Sequence, residues 1–501
     1  MKMAASQQNL KPHLAKHRNI KFTVPIQKTT FDTLKDYTIP SSTSNGDGRL
    51  TQFVNYVSSK VNVENRYTPE QLKEHTEFVE NFVRNFFIDF GNHTPEYYFL
   101  SYNTIFASNC IVRRGSSYEG TKIISPNEYD YIPIFAWSGN KAVIVEEVGE
   151  RCELAGQGYG FINIKHGDLH KELPPRHLEE NRSCVGKPSG STERSSPPGT
   201  IPHGSSKLSR NILITLCDAI TSYLSESENY KYVGERDHHK DPESPYPQGT
   251  ISLHKYRHGT SIWLRIGAPT CTTDIDLSFA IEDVNMTKGW CAMVGDGNVY
   301  CARCDESLGT THWTRSLIDP GLQDATNTLS RNHHHLFLTV KYINHLIKKS
   351  LNIKTSSSSY SYKMLLLQHQ RDCQNENVGQ CLEDVVNQFF THEKHCISTL
   401  EINVYTYKLL RKVPDIDYPK RMIRLKISPQ ECAVLLWITQ HVKHTINTSW
   451  WDMLLLEDLK PEDINKSDML YSLLHIAQQV DTGTLIDVEW VHDVNTKTVI
   501  R

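Results

Sequence analysis

Residues 115–130 read GSSYEGTKIISPNEYD: a Gly-Ser turn at Gly115 and Ser116, a short spacer, then two carboxylates, Glu128 and Asp130, separated by one tyrosine. Successive side chains in a strand alternate between faces, so Glu128 and Asp130 share one face while Tyr129 and Tyr131 take the other. Two carboxylates beside a turn that can hold a phosphate suit a hard divalent cation such as Mg2+, which takes oxygen ligands from protein and phosphate together. A second acid pair follows in TTDIDLSFAIED, residues 272–283, where Asp274 and Asp276 alternate with apolar positions. On spacing alone either of them reaches the same metals. Gly-Ser recurs at Gly190 and Gly204, and another acid pair at Asp415 and Asp417. Only at Gly115 do turn, spacer, E-x-D strand and later D-x-D strand occur in that order, which sets the segment apart from surface acids on a half-exposed strand.

With 501 residues and a formal net charge of −3, the chain has ample apolar material for one two-lobed unit or two to three domains, and no global attraction to polyanions. A local basic patch exists at the N-terminus, where Lys2, Lys11, Lys16, Arg18, Lys21 and Lys28 all precede the first acid, Asp32. Residues 1–50 therefore read as a basic arm for phosphate backbones or as a solvated tail. No apolar run approaches the ~20 residues of a membrane span, and no signal-peptide core follows Met1, so a cytoplasmic protein is expected. The 12 cysteines show no disulfide rhythm. Cys301 and Cys304 form a C-x-x-C with Cys291 upstream, but no second pair completes four zinc ligands there. The runs His333–His335 and Asp237-His238-His239 read as solvated.

Thr68, Pro69 and Gln71 form a capping-box start for a helix to about Phe90, with Leu72, Val79, Phe82, Val83, Phe86 and Phe87 on one face. Residues 128–135 read as a strand, Ile262–Ile266 and Asp274–Ile281 as a strand pair, and Leu208–Leu224 as a helix. Residues 183–206, rich in Gly, Pro and Ser, read as a flexible insertion. Beyond His333 the pattern turns helical in LFLTVKYINHLIKK, KMLLLQHQ, CLEDVVNQFF and ECAVLLWITQHV. The expected organisation is α+β: a core lobe over 51–325 and a helical lobe over 326–501.

These residues bring a known family into view. GSSYEGTKIISPNEYDYIPIF resembles the active-site loop and strand of the nucleotidyltransferase family that contains cyclic GMP-AMP synthase, the cGAS-like receptors and the male-abnormal developmental proteins. TDIDLSFAIE resembles the strand carrying the family's third acid, which a glutamate follows by six positions. Asp276 and Glu282 match that pattern, and Asp276 is preferred over Asp274. VKYINHLIKK resembles the helix with a nucleotide-contacting lysine, here Lys341. SSSYSYKMLLLQH resembles the S-S-Y-x-x-K segment, placing Ser359 near phosphate and Tyr360 against a base. HWTRSLI departs from the family's tryptophan-arginine-x-serine segment, leaving Arg315 as a displaced counterpart. Between that segment and the lysine helix stands DPGLQDATNTLSRNHHHLFLTV, with no cysteine, so the zinc thumb of the vertebrate DNA sensor is not encoded there.

The resemblance implies a bilobal nucleotidyltransferase fold, with a mixed-sheet N-terminal lobe, a long spine helix and an α-helical C-terminal lobe. It implies catalysis by Glu128, Asp130 and Asp276 holding Mg2+ or Mn2+, with Gly115, Ser116, Lys341, Ser359, Tyr360 and Arg315 on the nucleotides. The implied substrates are ATP and GTP, with UTP or CTP as further candidates, joined into a cyclic dinucleotide for a STING-type receptor reached only through the product. The invertebrate receptors, which lack the thumb, point to double-stranded RNA ahead of double-stranded DNA as activator. The alternative is a catalytically silent scaffold of the male-abnormal type.

Overall fold

The structure, a computed structural model, describes residues 46–93, 111–150, 152–179, 205–209, 211–238, 240, 246–255, 261–283, 291–296, 312–317, 328–349, 358–374, 377–390, 409–414, 422–427, 429–444, 448, 450–455, 490–492 and 498–500. Most of the basic arm, residues 183–204 of the insertion, and Cys301 and Cys304 lie outside them.

Among the described residues the helices longer than two turns are α1 (Gly46–Val61), α2 (Pro69–His93), α3 (Asn211–Glu226), α4 (Arg331–Lys349), α5 (Ser359–Asp372), α6 (Val378–Phe390) and α7 (Pro429–His444). The strands of the first part are β1 (Ile111–Arg114), β2 (Glu128–Pro133), β3 (Val143–Glu147), β4 (Tyr159–Lys165), β5 (Leu178–Glu179), β6 (Ser205–Leu208), β7 (Lys231–Arg236), β8 (Thr250–His254), β9 (Ile262–Gly267), β10 (Thr272–Leu277), β11 (Ala280–Asp283), β12 (Cys291–Asp296) and β13 (His312–Leu317). They form two sheets. A mixed six-stranded sheet runs β1-β2-β10-β9-β8-β7, and the other runs β11-β12-β13-β4-β6-β5 with β3 beside β4.

The expected single strand over 274–281 is two. β10 pairs with β2 in parallel, then the chain leaves that sheet at Ser278, and Ala280–Asp283 joins the second. The insertion ends earlier than expected, because Ser205 and Ser206 already pair with Lys165 and Ile164 as part of β6. Leu208 closes that strand rather than opening α3.

α2 starts as its sequence dictates. The Thr68 N–H donates to Gln71 Oε1 at 2.9 Å and the Gln71 N–H donates back to Thr68 Oγ1 at 3.2 Å, a reciprocal cap of about 1 kcal/mol. Val79, Val83, Phe86, Phe87 and Phe90 of α2 and the apolar face of α3 pack on Tyr129, Tyr131, Ile275 and Leu277 of the six-stranded sheet. The tyrosines are almost fully buried, so the acids alternating with them face away from the helices.

A second core is helical. α4, α5, α6 and α7 pack together, and α1 joins them through Leu50, Phe53, Val54, Val57 and Val61. The sequence division at 325 puts 51–61 with the sheets. Instead its i, i+3, i+4 stripe seats in the helical core, where the Thr339 hydroxyl donates to the Val54 carbonyl at 3.1 Å. The C-terminal part also contains antiparallel strand pairs, 409–414 with 422–427 and 490–492 with 498–500, so it is not purely helical.

Candidate active site

Parallel pairing of β2 and β10 sets Asp276 opposite Asp130 and Asp274 opposite Glu128. All four carboxylates occupy one face. They do not play one part: Arg265, across from Asp274 on β9, donates Nε to Oδ1 at 2.6 Å and Nη2 to Oδ2 at 2.9 Å. This bidentate pair occupies Asp274, while Glu128, Asp130 and Asp276 each offer an oxygen within 4.8 Å of the others. The choice between Asp274 and Asp276, open on spacing, thus has a geometric basis.

Crowding three carboxylates raises the cost of ionising them. Burial, then the Glu128 charge, pushes Asp130 up to about 7, and burial, then Asp130, pushes Asp276 up to about 8. Glu128 goes the other way, held below the usual carboxylate range by Lys122, whose Nζ donates to Oε2 at 2.6 Å. Lys341 points inward rather than to solvent, its Nζ donating to the Thr121 carbonyl at 3.0 Å. Burial, then repulsion from Lys122, lowers it to about 8, against the attraction of Glu128 and Asp130.

The turn before β2 is built around these acids. Gly115 has φ +79°, open to glycine at little cost, and a Cβ there would stand 2.5 Å from Asp130 Cγ and nearer still to Oδ2. Its carbonyl accepts the amides of Tyr118 (3.2 Å) and Glu119 (3.1 Å), and the Ser116 carbonyl accepts that of Thr121 at 2.9 Å. Ser117 Oγ donates to the Glu128 carbonyl at 2.6 Å, fastening turn to strand.

The rest of the loop is gripped from several sides. The Tyr118 hydroxyl donates to Glu80 of α2 at 3.1 Å and bonds Tyr131 OH at 2.7 Å. Lys363 of α5 pairs with Glu119 at 2.5 Å, and His334 of α4 donates to the Gly120 carbonyl at 2.9 Å. Ile124 takes φ +71° inside a γ-turn, with the Ser125 N–H donating to the Ile123 carbonyl at 2.8 Å. A β-branched residue is strained in that region. Loop 115–124 thus joins the sheet carrying the acids to the helical core.

Other expected residues are placed as follows. Ser358 caps α5, its Oγ accepting the Ser361 N–H at 3.2 Å, so Ser359 and Tyr360 form the first turn. Tyr360 is half exposed, while Tyr362 fills the core. Arg315 stands on β13 in the other sheet, its Nη1 donating to Glu147 at 2.5 Å, and is not among the three-carboxylate cluster. Of the histidines read as solvated, His333 and His238 are buried and His335 bonds Asn55 at 3.2 Å, while His239 lies outside the described residues. Sequence reasoning missed Lys122 and Arg265. Neither carries a periodic signal, since each finds its acid only when strands pair or the loop folds back.

No family model matches the sequence, and no curated protein does. Among solved structures the chain is similar to CdnC of E. coli MS115-1 with ATP, at 10% identity over 87% of this chain and 98% of that one, TM-score 0.36. It is also similar to the E. coli MS115-1 CdnC:HORMA-deltaN complex, at 12% identity over 88% and 97%, TM-score 0.33. Superpositions this loose say nothing about chemistry, which the chain's own residues must carry.

Proposed function

We propose that this protein is a divalent-metal-dependent nucleotidyltransferase acting on nucleoside triphosphates. The observation that carries the reading is the convergence of Glu128, Asp130 and Asp276 within 4.8 Å at the turn of Gly115. The three side chains fit a hard cation. All donors are carboxylate oxygens, burial and the neighbouring acid charges make two of the groups hold protons unusually tightly, and Asp276 Oδ1 is buried without a hydrogen-bond partner. Glu128, Asp130 and Asp276 would hold Mg2+ or Mn2+, which when bound neutralises triphosphate charge and lowers the pKa of an attacking ribose hydroxyl.

The chain's own groups supply position and charge. Gly115 leaves the Asp130 carboxylate the space it occupies. The Tyr118 and Glu119 amides are spent inside the turn, so amides offered to a phosphate come from Gly115–Ser117. Lys341 and Lys122 bring positive charge to the acids' edge. Ser359 offers a hydroxyl and Tyr360 a half-exposed ring on which a base can stack, and Arg315 is a further contact to base or phosphate.

The sequence resemblance extends the proposal to a cyclic dinucleotide product, ATP and GTP as the joined nucleotides, and activation by double-stranded RNA. The test is incubation of the full chain with labelled ATP, GTP, CTP and UTP plus Mg2+ or Mn2+, with no activator, double-stranded RNA or double-stranded DNA, resolving the products. A phosphodiester-linked product from wild type and none from Glu128→Ala/Asp130→Ala is expected. No product under any condition, with the variant indistinguishable, sinks the enzyme reading; activation by DNA but not RNA overturns the ligand assignment alone.

A further inference from the structure

The helical core contains a second set of ligand-type side chains that the proposed chemistry does not use. His333 lies in the first turn of α4, His369 near the end of α5, Cys373 at its C-cap and Cys381 in the first turn of α6. Each offers one donor atom, and the four atoms all lie within 4.8 Å of one another. We infer that His333, His369, Cys373 and Cys381 form a closed tetrahedral zinc site tying α4, α5 and α6 together.

Several independent features converge on that assignment. Two imidazole nitrogens and two sulfurs are the donor set of structural zinc, and the absence of a carboxylate among the four disfavours Mg2+ or Ca2+. His333 Nε2 and His369 Nε2 are both buried without a hydrogen-bond partner. Buried polar atoms rarely stay unsatisfied, and ligation satisfies both at once. His333 Nδ1 is already bonded to Ser330 Oγ at 2.7 Å, the outer contact that fixes a ligating ring with its other nitrogen turned inward.

The sulfurs of Cys373 and Cys381 are 3.4 Å apart. That is far beyond a disulfide's ~2.05 Å and near the roughly 3.8 Å edge of a tetrahedron with ~2.3 Å Zn–S bonds. His369 and Cys373 stand four apart, stacked on one face of α5's last turn, and Cys381 follows across the α5–α6 turn. The sequence signal is therefore H-x3-C-x7-C, with a histidine 36 positions upstream that only the fold supplies.

With four protein ligands the site leaves no open position, so its work is structural. Binding releases the two thiol protons and clamps the end of α5, whose first turn carries Ser359 and Tyr360, to α4, which carries Lys341. The inference stands whether or not the acid cluster is catalytic.

The experiment uses the full chain purified under reducing conditions. Elemental analysis should find about one zinc per chain. Replacement with Co2+ should give the intense visible bands of a tetrahedral thiolate-ligated ion, lost in Cys373→Ser and His369→Gln and kept in Cys217→Ser. Hydrogen exchange in α5 and α6 should rise on chelation. Wild-type chain that takes up neither Zn2+ nor Co2+, a cobalt spectrum without thiolate character, or a Cys373–Cys381 disulfide found by mass spectrometry would each overturn the site. The cobalt spectrum of wild type reads the ligands directly, so a variant that fails to fold does not protect the idea.

Discussion

Replacing Asp276 by asparagine should stabilise the metal-free protein and change its pH dependence in a direction fixed by the site. A carboxyl raised from 3.8 to about 8 keeps a proton in the fold that the unfolded chain has released. Its contribution is fully present below about pH 4 and is lost as pH rises through about 8. Within that window each such group takes away up to about 1.4 kcal/mol per pH unit. Asp130, raised to about 7, behaves likewise. In EDTA the wild type should therefore lose up to about 2.7 kcal/mol per unit between pH 5 and 7 from the two carboxyls, and Asp276→Asn about half that. Contributions from other titrating groups cancel in the difference, which reaches up to about 3 kcal/mol over the two units. Urea denaturation of both proteins at pH 5, 6 and 7 measures it. Excess Mg2+ at pH 7 should then raise the wild-type midpoint and leave the variant unmoved. Equal slopes for the two proteins, or a variant that gains as much from Mg2+ as wild type, would refute a buried, proton-holding Asp276 in the cluster.

Other expectations follow from individual contacts. Gly115→Ala should cost about 1–2 kcal/mol from its left-handed backbone alone and displace the Asp130 carboxylate, so Mn2+ affinity by titration should drop more than tenfold. Asp274→Asn should retain Mg2+-dependent stabilisation, because Arg265 and not the cluster occupies Asp274. Arg265→Leu should lose about 3–5 kcal/mol of stability by leaving a partly buried carboxylate unpaired. In Lys122→Met the Glu128 carboxyl should titrate higher, making Mn2+ binding weaker at pH 6 than at pH 8 by a larger ratio than in wild type.

Much of the site was legible because alternation is strictly local. Tyr129 and Tyr131 buried with Glu128 and Asp130 on the opposite face follow from strand geometry, and the Thr68–Gln71 cap follows from a four-residue pattern. α1 was not legible: a polar segment that begins at Gly46 shows only a narrow apolar stripe, and the helices that cover it, α4, α6 and α7, come far later in the chain. The break at Ser278–Phe279 was hidden because Asp274–Ile281 stays apolar-alternating across the change of sheet. His333 read as solvated because a histidine run carries no sign of its neighbours.

By itself the sequence determined which residues alternate on β2 and β10, where α2 begins, and that three or four acids and a glycine turn are available for metal chemistry. Tertiary structure decided which acids form the cluster. Asp274 and Asp276 are equivalent in spacing, and only the register of β9 against β10, by bringing Arg265 onto Asp274, separates them. It also assembled His333 with His369, Cys373 and Cys381, and bound loop 115–124 to both cores. The physical reason is the same in each case: periodicity is encoded within a few residues, whereas pairing a charge or completing a ligand set depends on side chains that meet only when distant elements pack.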